Sequence, residues 1–254
     1  GTLYINNVAV SGRIQKILPA LPGFVDDNIL IAAEDGSEFY VFNNTGRHLQ
    51  TLNTLTGATV FDFNYNTNGK LASVTDGDNN VTTLQRDADG NPTSITSADG
   101  QVTQLGLDSN GFLNSITNPA NESNQFEYTI QGLMVRRIDP RLNDSLYTYD
   151  DVGRLLTDSD AAGGSLSLTR SGDNQLYTVD ATTALNRTSR FRVENLLAGG
   201  NLRTVTDPNG LVNTTLLGLD NSRTITSPDG TVTRTTQYPD PRFGLQAPLS
   251  NLTV

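Results

Sequence analysis

Carboxylate side chains are the first feature of this sequence that suggests catalysis, because two suitably spaced carboxylates are the machinery of a glycosidase. The 254-residue chain carries 27 Asp and Glu against 17 Lys and Arg. Most of its Asp residues stand in turn-forming runs, where a local hydrogen-bonding role suffices. No two of them differ from their equivalents elsewhere in the chain, so the sequence predicts a protein that is not an enzyme. These turn acids are Asp76, Asp78, Asp87, Asp89, Asp99, Asp108, Asp139, Asp150, Asp207 and Asp229.

Two acidic runs, at 76–80 and 87–91, present oxygens at positions 1, 3 and 5, as a calcium-binding loop does. Position 6 is Val81 or Pro92 where an EF-hand needs Gly, and position 12 is Asp87 or Ala98 where it needs Glu. We therefore expect solvated turns and no metal site, with calcium held at such a turn as the alternative.

The remaining composition excludes several other kinds of chemistry. The chain has no Cys and a single His, His48, so thiolate sites, a Cys nucleophile and a two-histidine metal site are all ruled out. We interpret His48 as a strand or turn residue at a usually apolar position. A net charge of −10 disfavours nucleic acid as a partner. No apolar run is long enough to predict a membrane span, and we expect no cofactor.

A repeat of 21 residues organises the chain. Gly69, Gly90, Gly111, Gly132 and Gly153 follow one another at this interval, and Asn174 and Asn195 continue the series with a residue that also tolerates a positive φ. Each anchor is preceded, four residues earlier, by a residue that is often aromatic, and three residues earlier by one that is often Asp. The residues four positions before the anchors are Tyr65, Arg86, Leu107, Tyr128, Tyr149, Arg170 and Phe191. The residues three positions before the anchors are Asn66, Asp87, Asp108, Thr129, Asp150, Ser171 and Arg192.

Each repeat predicts two strands and two turns. In the run at 149–155, the Asp150 side chain can accept a backbone N–H two residues on, and Gly153 supplies the left-handed residue that closes the turn. Short β-prone runs follow the anchors and end in Asp-Gly, Asn-Pro or Asp-Pro-Asn-Gly, which are second turns. The fold is therefore expected to be all-β, built from antiparallel hairpins of about 21 residues.

The Tyr-Asp-x-x-Gly-Arg-Leu motif at 149–155, with Thr-Asp-Pro-Asn-Gly at 206–210, closely resembles the YD repeat of the RHS family. That family includes bacterial RHS proteins, the B and C components of Tc toxins, and animal teneurins. The resemblance covers about 39–237 and implies that the following residues are structural repeat positions: Tyr65, Gly69, Asp87, Gly90, Asp108, Gly111, Tyr128, Gly132, Tyr149, Asp150, Gly153 and Gly210.

The resemblance also implies a function. In relatives the repeats coil a long sheet into a hollow shell that encloses a C-terminal toxin or the protein's own segment. The eight or nine hairpins expected here are too few to close such a shell, so we expect an open, curved sheet or spiral solenoid, a fragment of a YD shell. The partners implied are the rest of the parent protein and a toxin cargo, and the location is secreted or at the cell surface.

The extent of the repeats divides the chain into three segments. We predict an N-terminal cap or linker with strands at 1–38, YD repeats at 39–237 and an irregular C-terminal segment at 238–254. Within the first, we expect a loop at 18–23 and a buried strand at 28–33. Because 26 residues separate Asn174 from Gly200, we also predict a longer loop or bulge at about 194–201.

Two features carry alternatives to a purely structural role. Tyr65, Tyr128, Tyr149 and Phe191 share one repeat phase and should stack along one face, where packing is the expected role. The alternative is that Tyr128 and Tyr149 form a ligand strip for surface glycans, which makes the protein an adhesion or carbohydrate-binding module. The run at 207–211 is also similar to the self-cleavage region of RHS proteins, but its place inside a repeat predicts an ordinary turn.

Overall fold

The computed structural model describes residues 28–254, together with the backbone of three short strands at 3–7, 13–17 and 24–25. Strands and turns account for nearly all of this part of the chain, and no helix occurs in it. The first twelve strands are β1 Leu3–Asn7, β2 Arg13–Ile17, β3 Phe24–Val25, β4 Asn28–Ala32, β5 Glu38–Phe42, β6 His48–Asn53, β7 Thr59–Tyr65, β8 Leu71–Asp76, β9 Val81–Arg86, β10 Pro92–Thr96, β11 Val102–Leu107 and β12 Leu113–Thr117.

The later strands continue the same pattern, and the last two are the longest. They are β13 Ser123–Tyr128, β14 Met134–Ile138, β15 Asp144–Tyr149, β16 Leu155–Asp160, β17 Ser165–Gly172, β18 Leu176–Thr183, β19 Thr188–Asn195, β20 Asn201–Thr206, β21 Val212–Leu217, β22 Arg223–Thr226, β23 Val232–Asp240 and β24 Gly244–Thr253. The all-β fold of repeated antiparallel hairpins is thereby confirmed.

The chain forms two compact units. The first comprises Gly1–Gln85, Thr96–Gly100 and Gln237–Leu249, and the second comprises Arg86–Ile95, Gln101–Thr236 and Ser250–Val254. In the first unit, β3 to β9 pair antiparallel in chain order, and β1 pairs with β2 in a separate hairpin. In the second unit, β11 to β23 pair antiparallel in chain order.

The sheet of the second unit has one polar face and one more apolar face. Along β17, Ser165, Ser167 and Thr169 are exposed, whereas Leu166 and Leu168 are half-buried. On the polar face hydroxyls pair across strands, as Thr148 Oγ1 and Thr157 Oγ1 do at 2.6 Å. Such cross-strand pairs stabilise a thin sheet, which accounts for the abundance of Thr and Ser in the sequence.

A small buried cluster stabilises the first unit. Ala32, Phe243 and Ala247 are buried, and Phe39 packs against them with its ring edge-on to Phe243 at a centroid distance of 5.1 Å. The Gln246 side-chain oxygen accepts a hydrogen bond from the Ala32 N–H at 3.1 Å. The expected strand near 28–33 is present as β4, while the loop expected at 18–23 lies outside the described residues.

The C-terminal segment is a strand, which corrects the expectation of an irregular chain at 238–254. The Asp240 carboxylate accepts backbone N–H groups from Arg242 at 2.6 Å and Phe243 at 3.3 Å, and this turn sends the chain back as β24. Prolines in this segment suggested irregular structure. Burial of Phe243 and Ala247 against Ala32 instead fixes it as a strand.

The loop or bulge predicted at about 194–201 is also absent, so that prediction was wrong. β19 and β20 pair without a register shift up to Asn195 and Asn201, and a short turn joins them. The additional residues lengthen the strands instead, because β17, β18 and β19 have 8 residues each whereas β13 and β15 have 6.

Candidate functional site

The Asp150 turn shows how each hairpin is closed. The Asp150 N–H donates to the Arg154 carbonyl at 2.9 Å, and the Gly153 N–H donates to the Asp150 carbonyl at 2.9 Å. The Asp150 carboxylate accepts the backbone N–H groups of Val152 and Arg154 at 3.1 and 2.9 Å. Gly153 has a φ of 83°, so this is a three-residue turn that ends in a left-handed residue and shifts the register by one.

The same turn recurs at the other predicted repeat positions. A left-handed backbone is present at the glycines that the motif predicts, and the carboxylates of Asp87 and Asp108 accept N–H groups four residues on, at 2.8 and 2.9 Å. The glycines and their φ angles are Gly69 at 74°, Gly90 at 81°, Gly111 at 84°, Gly132 at 86° and Gly210 at 81°.

Each repeat tyrosine ends a strand and bonds to a backbone carbonyl of the preceding strand. The Tyr65 hydroxyl donates to the His48 carbonyl at 2.7 Å. The Tyr128 hydroxyl donates to the Leu113 carbonyl at 2.8 Å, and the Tyr149 hydroxyl donates to the Met134 carbonyl at 2.7 Å. Burial raises the pKa of Tyr128, and the nearby charge of Asp108 adds to this effect. These contacts link consecutive hairpins.

The residue after the turn glycine packs onto the next repeat, a contact that the sequence analysis missed. The Phe112 ring lies 5.4 Å from the Tyr128 ring, and a methyl group placed on Gly132 would lie 2.9 Å from it. Leu133 takes the same place beside Gly153. A weak signal was available, because aromatic or long side chains recur directly after the glycines of the 21-residue series. Gly132 and Gly153 therefore serve packing as well as turn geometry.

The repeat phase changes after Gly153. Asn195 lies within β19, and neither it nor Asn174 has a positive φ; Gly172, at 94°, and Gly199, at 87°, provide the left-handed residues instead. The expectation for these two asparagines was therefore wrong. Phe191 lies in the middle of β19 and is 42 % exposed, so it does not share the strand-end position of the tyrosines. The longer strands move the turn residues out of the 21-residue phase.

The first Asp of each calcium-like run accepts hydrogen bonds from residues of its own turn. The Asp76 carboxylate accepts the backbone N–H groups of Asp78 and Asn80, each at 2.9 Å, and the Asn80 side-chain amide at 2.9 Å. The Asn80 side chain is the main cause of a lowered pKa for Asp76. At the second run, the Asn91 backbone N–H lowers the pKa of Asp87. Across the part of the chain that the structure describes, no three acidic or His side chains cluster in a way that could hold a metal ion.

His48 and Asp207 occupy the places that the sequence predicts. His48 begins β6, and its ring lies between Phe42, at a centroid distance of 4.8 Å, and Phe63, at 4.2 Å. Its Nε2 lies 2.9 Å from the Gln50 carbonyl oxygen. The Asp207 N–H donates to the Leu211 carbonyl at 2.9 Å, as the Asp150 N–H does to the Arg154 carbonyl. Both residues are thus accounted for by the repeat architecture.

The second unit holds an open cavity of about 780 Å³ beside the Asp150 turn. Its walls include Leu133, Val135, Tyr147 and Tyr149, with Gln131 and Asp151 among the polar residues at its sides. Tyr147 was not singled out in the sequence, and its hydroxyl has no hydrogen-bond partner among residues 28–254.

These contacts define a class of protein in which one hairpin unit is copied along a sheet, and in which three of the copies described are linked to the preceding one by a tyrosine. The family model described as Teneurin YD-shell matches residues 26–248. The chain belongs to this family, which confirms the expected YD-repeat membership.

Several teneurins are similar to parts of this chain. Teneurin-1 of Gallus gallus is 27 % identical over 210 residues, covering 82 % of this chain and 8 % of the relative. Teneurin-m of Drosophila melanogaster is 29 % identical over 148 residues, covering 56 % of this chain and 5 % of the relative. Human Teneurin-1 is 37 % identical over 91 residues, covering 35 % of this chain and 3 % of the relative. The chain thus spans less than a tenth of the length of these proteins.

Solved structures of Tc toxins are also similar. The TcdB2-TccC3 crystal structure matches with a TM-score of 0.43 and 12 % identity, covering 99 % of this chain and 19 % of that chain. The Photorhabdus luminescens Tc holotoxin pore matches with a TM-score of 0.39 and 12 % identity, covering 93 % of this chain and 16 % of that chain. Nowhere in the described residues is there a helix that is long and apolar enough to cross a membrane.

Proposed function

We propose that this chain is a non-catalytic wall segment of a larger YD-repeat protein, whose shell encloses a C-terminal toxin or a segment of its own. The parent protein is secreted or displayed at a cell surface, and the partners of the segment are the rest of the parent and the enclosed cargo. Membership in the Teneurin YD-shell family supports the structural part of this proposal.

The observation that carries the proposal is the tyrosine-to-carbonyl bond that links one hairpin to the next at Tyr65, Tyr128 and Tyr149. A wall must continue through many hairpins, and a bond of this kind fixes a hairpin to the preceding one wherever the repeat carries the tyrosine. Because the bond depends only on positions inside the repeat, further copies extend the wall without new contacts.

The hydrogen bonds that the turn carboxylates accept support the non-catalytic part of the proposal. Asp139, for example, accepts the backbone N–H groups of Arg141 and Asn143 at 2.8 and 2.9 Å, and its second oxygen accepts the Asn143 side-chain amide at 2.9 Å. A carboxylate that accepts three local hydrogen bonds is stabilised in its charged form, and these bonds give it a structural role in the turn. Equivalent bonds at Asp76 and Asp150 argue against a selected catalytic pair.

The alternative of a surface adhesion module with a ligand strip at Tyr128 and Tyr149 is less well supported. Both side chains are half-buried, and both hydroxyls already donate to backbone carbonyls. The Tyr128 ring also packs against Phe112. Packing accounts for these two tyrosines without a ligand.

Limited proteolysis of the parent protein tests the wall. The C-terminal segment of the parent is expected to resist protease while the wall is intact. Replacing Tyr128 and Tyr149 together by Phe should loosen two hairpin links and make that segment cleavable earlier in a time course. Tyr147→Phe is the matched control, since it removes a hydroxyl that has no hydrogen-bond partner among residues 28–254. A C-terminal segment that is cleaved equally fast in the wild type and after full unfolding would refute enclosure.

A further inference from the structure

One edge of the sheet in the second unit carries a row of exposed aliphatic side chains. Because its strands pair antiparallel in chain order, every second turn lies at the same edge. Five successive turns at this edge join β13 to β14, β15 to β16, β17 to β18, β19 to β20 and β21 to β22. Four of these turns expose a large apolar residue, and we call these residues the apolar rim. They are Ile130 at 77 %, Val152 at 73 %, Leu197 at 101 % and Leu219 at 78 %.

The apolar rim is a patch with a definite end. Turns at the same edge are separated by two strands, which places neighbouring turns about 10 Å apart. Leu219 also contacts the preceding turn, since a methyl group added to Gly199 would collide with its side chain. The two earlier turns of the second unit at this edge, 87–90 and 108–111, carry no large apolar residue. A confined, exposed apolar patch is typical of an interaction surface.

The order of apolar and polar turns along the rim is the same when read from either end. Ile130 and Val152 precede the turn at 173–175, and Leu197 and Leu219 follow it. The central turn is polar, with one Asp, one Asn and one Gln. A two-fold axis through the central turn would place Ile130 on Leu219 of a second copy. It would also place Val152 on Leu197 of that copy, so the surface is self-complementary, as a two-fold dimer requires.

The charges along the rim fit the same arrangement. The turn at 150–153 contains two carboxylates, and the two-fold axis sets it against the turn at 196–199, which has no charged residue. The turn at 218–221 contains one carboxylate, and it meets the uncharged turn at 129–132. No two of these four turns therefore bring like charges together. Electrostatic complementarity of this kind selects one docking arrangement over others.

At the axis each copy contributes one positive and one negative group. The Arg170 guanidinium donates to the backbone carbonyl of Asp173 at 3.2 Å, which holds it beside the central turn. The Asp173 carboxylate accepts the backbone N–H groups of Gln175 and Leu176 at 2.8 and 2.9 Å. Two facing central turns thus bring together two cations and two anions, and Arg170 of each copy can pair with Asp173 of the other. The axis is therefore not opposed by a net charge.

We infer that the apolar rim is a self-association surface, at which a second copy of this chain binds across a two-fold axis through the 173–175 turn. Each exposed aliphatic side chain removes roughly 100 Å² of apolar surface from water when it is covered. The rims and central turns of two copies together bury about 1,000 Å², which is at the lower end for a specific interface. The dimer is expected to be weak, with a Kd on the order of 10–100 µM. The inference goes beyond the proposed wall function and does not depend on enclosure of a cargo.

Sedimentation equilibrium of the 254-residue chain, at concentrations from well below to well above that Kd, tests the association. The weight-average mass should rise with concentration from 27.3 kDa toward twice that value. Leu197→Asp should raise the Kd at least about tenfold, because the dimer would bury two unpaired charges in an apolar contact. Ile130→Asp, on a separate turn of the rim, should have the same effect.

Leu185→Asp is the matched control for the added charge. Leu185 is a similarly exposed turn leucine, at 74 %, but its turn joins β18 to β19 and lies at the opposite edge of the sheet. Its replacement should leave the Kd unchanged. Circular dichroism of each variant confirms that the fold is retained, and Ile130→Asp tests the rim if Leu197→Asp does not fold.

Cross-linking through an introduced cysteine tests the two-fold axis. The chain has no Cys of its own, so a single thiol reports on a single position. Asn174 is exposed in the central turn, and the axis brings it next to Asn174 of the second copy. Asn174→Cys should therefore give a covalent dimer with a short bismaleimide. Leu185→Cys, at the opposite edge, should give none.

Three results would overturn the inference. The first is a mass of 27.3 kDa at every concentration, and binding of such a monomer to phosphatidylcholine vesicles would assign the rim to a lipid surface. The second is a dimer that Leu197→Asp and Leu185→Asp weaken equally. The third is a dimer that cross-links through Leu185→Cys and not through Asn174→Cys. None of these results bears on protease protection of the parent, so the two proposals fail separately.

Discussion

The Tyr149 hydroxyl donates a hydrogen bond of 2.7 Å to the carbonyl oxygen of Met134, the first residue of β14. Backbone pairing between β14 and β15 extends only from Ile138 to Arg136, so it stops before Met134 is reached. The tyrosine therefore supplies, beyond the end of the ladder, a donor that the neighbouring strand does not provide. Its position as the last residue of β15 places the phenol there.

Tyr149→Phe should lower the free energy of unfolding by about 1 kcal/mol, because a half-buried carbonyl loses its donor. Urea unfolding followed by circular dichroism measures this change. Tyr147→Phe is the control, since the same atom is removed two residues away without breaking a bond, and its unfolding free energy should match that of the wild type. Equal destabilisation by the two variants would show that the Tyr149 bond contributes nothing specific.

Gly132→Ala should destabilise the protein more than Gly111→Ala does. Both glycines have a positive φ, 86° and 84°, so alanine costs roughly 1 to 2 kcal/mol at either position. Only at Gly132 would the new methyl also lie 2.9 Å from Phe112, whereas nothing lies within 4 Å at Gly111. Overpacking should add about 1 kcal/mol or more.

The double variant Gly132→Ala with Phe112→Leu separates the two effects. A smaller side chain at 112 should remove the collision but not the backbone strain, and the double-mutant cycle in urea gives the interaction energy. Additive free energies in this cycle would mean that Phe112 does not contact the turn of the next repeat.

The sequence predicts the turns of this protein well, but it predicts poorly the places where the structure departs from the 21-residue repeat. A strict 21-residue period places Gly153 and Asp150 correctly, because turn geometry depends on local residues alone. It fails at Asn195, since longer strands allow nearby glycines to provide the left-handed residue. It also fails at β24, where burial of Phe243 outweighs the prolines. The free hydroxyl of Tyr147 cannot be predicted from the sequence, because only the structure shows that it has no hydrogen-bond partner among residues 28–254.

Leu142→Asn should stabilise the protein. Leu142 has a φ of 63° and is 79 % exposed, so its backbone is strained and its side chain gains little burial. Asn121 and Asn186 fill the same turn position in other repeats, with φ of 62° and 57°. Relief of left-handed strain should raise the free energy of unfolding by roughly 1 kcal/mol.

Leu185→Asn is the control for this substitution. Leu185 is a similarly exposed turn leucine, at 74 %, that does not have a positive φ. Its replacement should leave the urea midpoint unchanged. If Leu142→Asn lowers the midpoint instead, the leucine side chain makes a stabilising contact that outweighs its backbone strain.

Acid should destabilise the fold through its turn aspartates. The Asn143 side-chain amide, followed by the Asn143 backbone N–H, lowers the pKa of Asp139, and a backbone N–H of Arg154 has the same effect on Asp150. A carboxyl whose pKa is lower in the folded protein stabilises the fold at pH values above its unfolded pKa of about 3.9. That contribution is lost as the pH falls through the lower, folded-state pKa.

Urea midpoints measured between pH 7 and pH 2 should therefore be level above about pH 5 and fall steeply below about pH 4. Asp139→Asn keeps an acceptor oxygen for the turn N–H groups but cannot titrate. Its stability deficit relative to the wild type should be largest at pH 7 and should shrink as the wild-type carboxyl becomes protonated. A deficit that stays constant down to pH 2 would mean that the charge of Asp139 does not stabilise the turn, and that its role is met by any oxygen acceptor at that position.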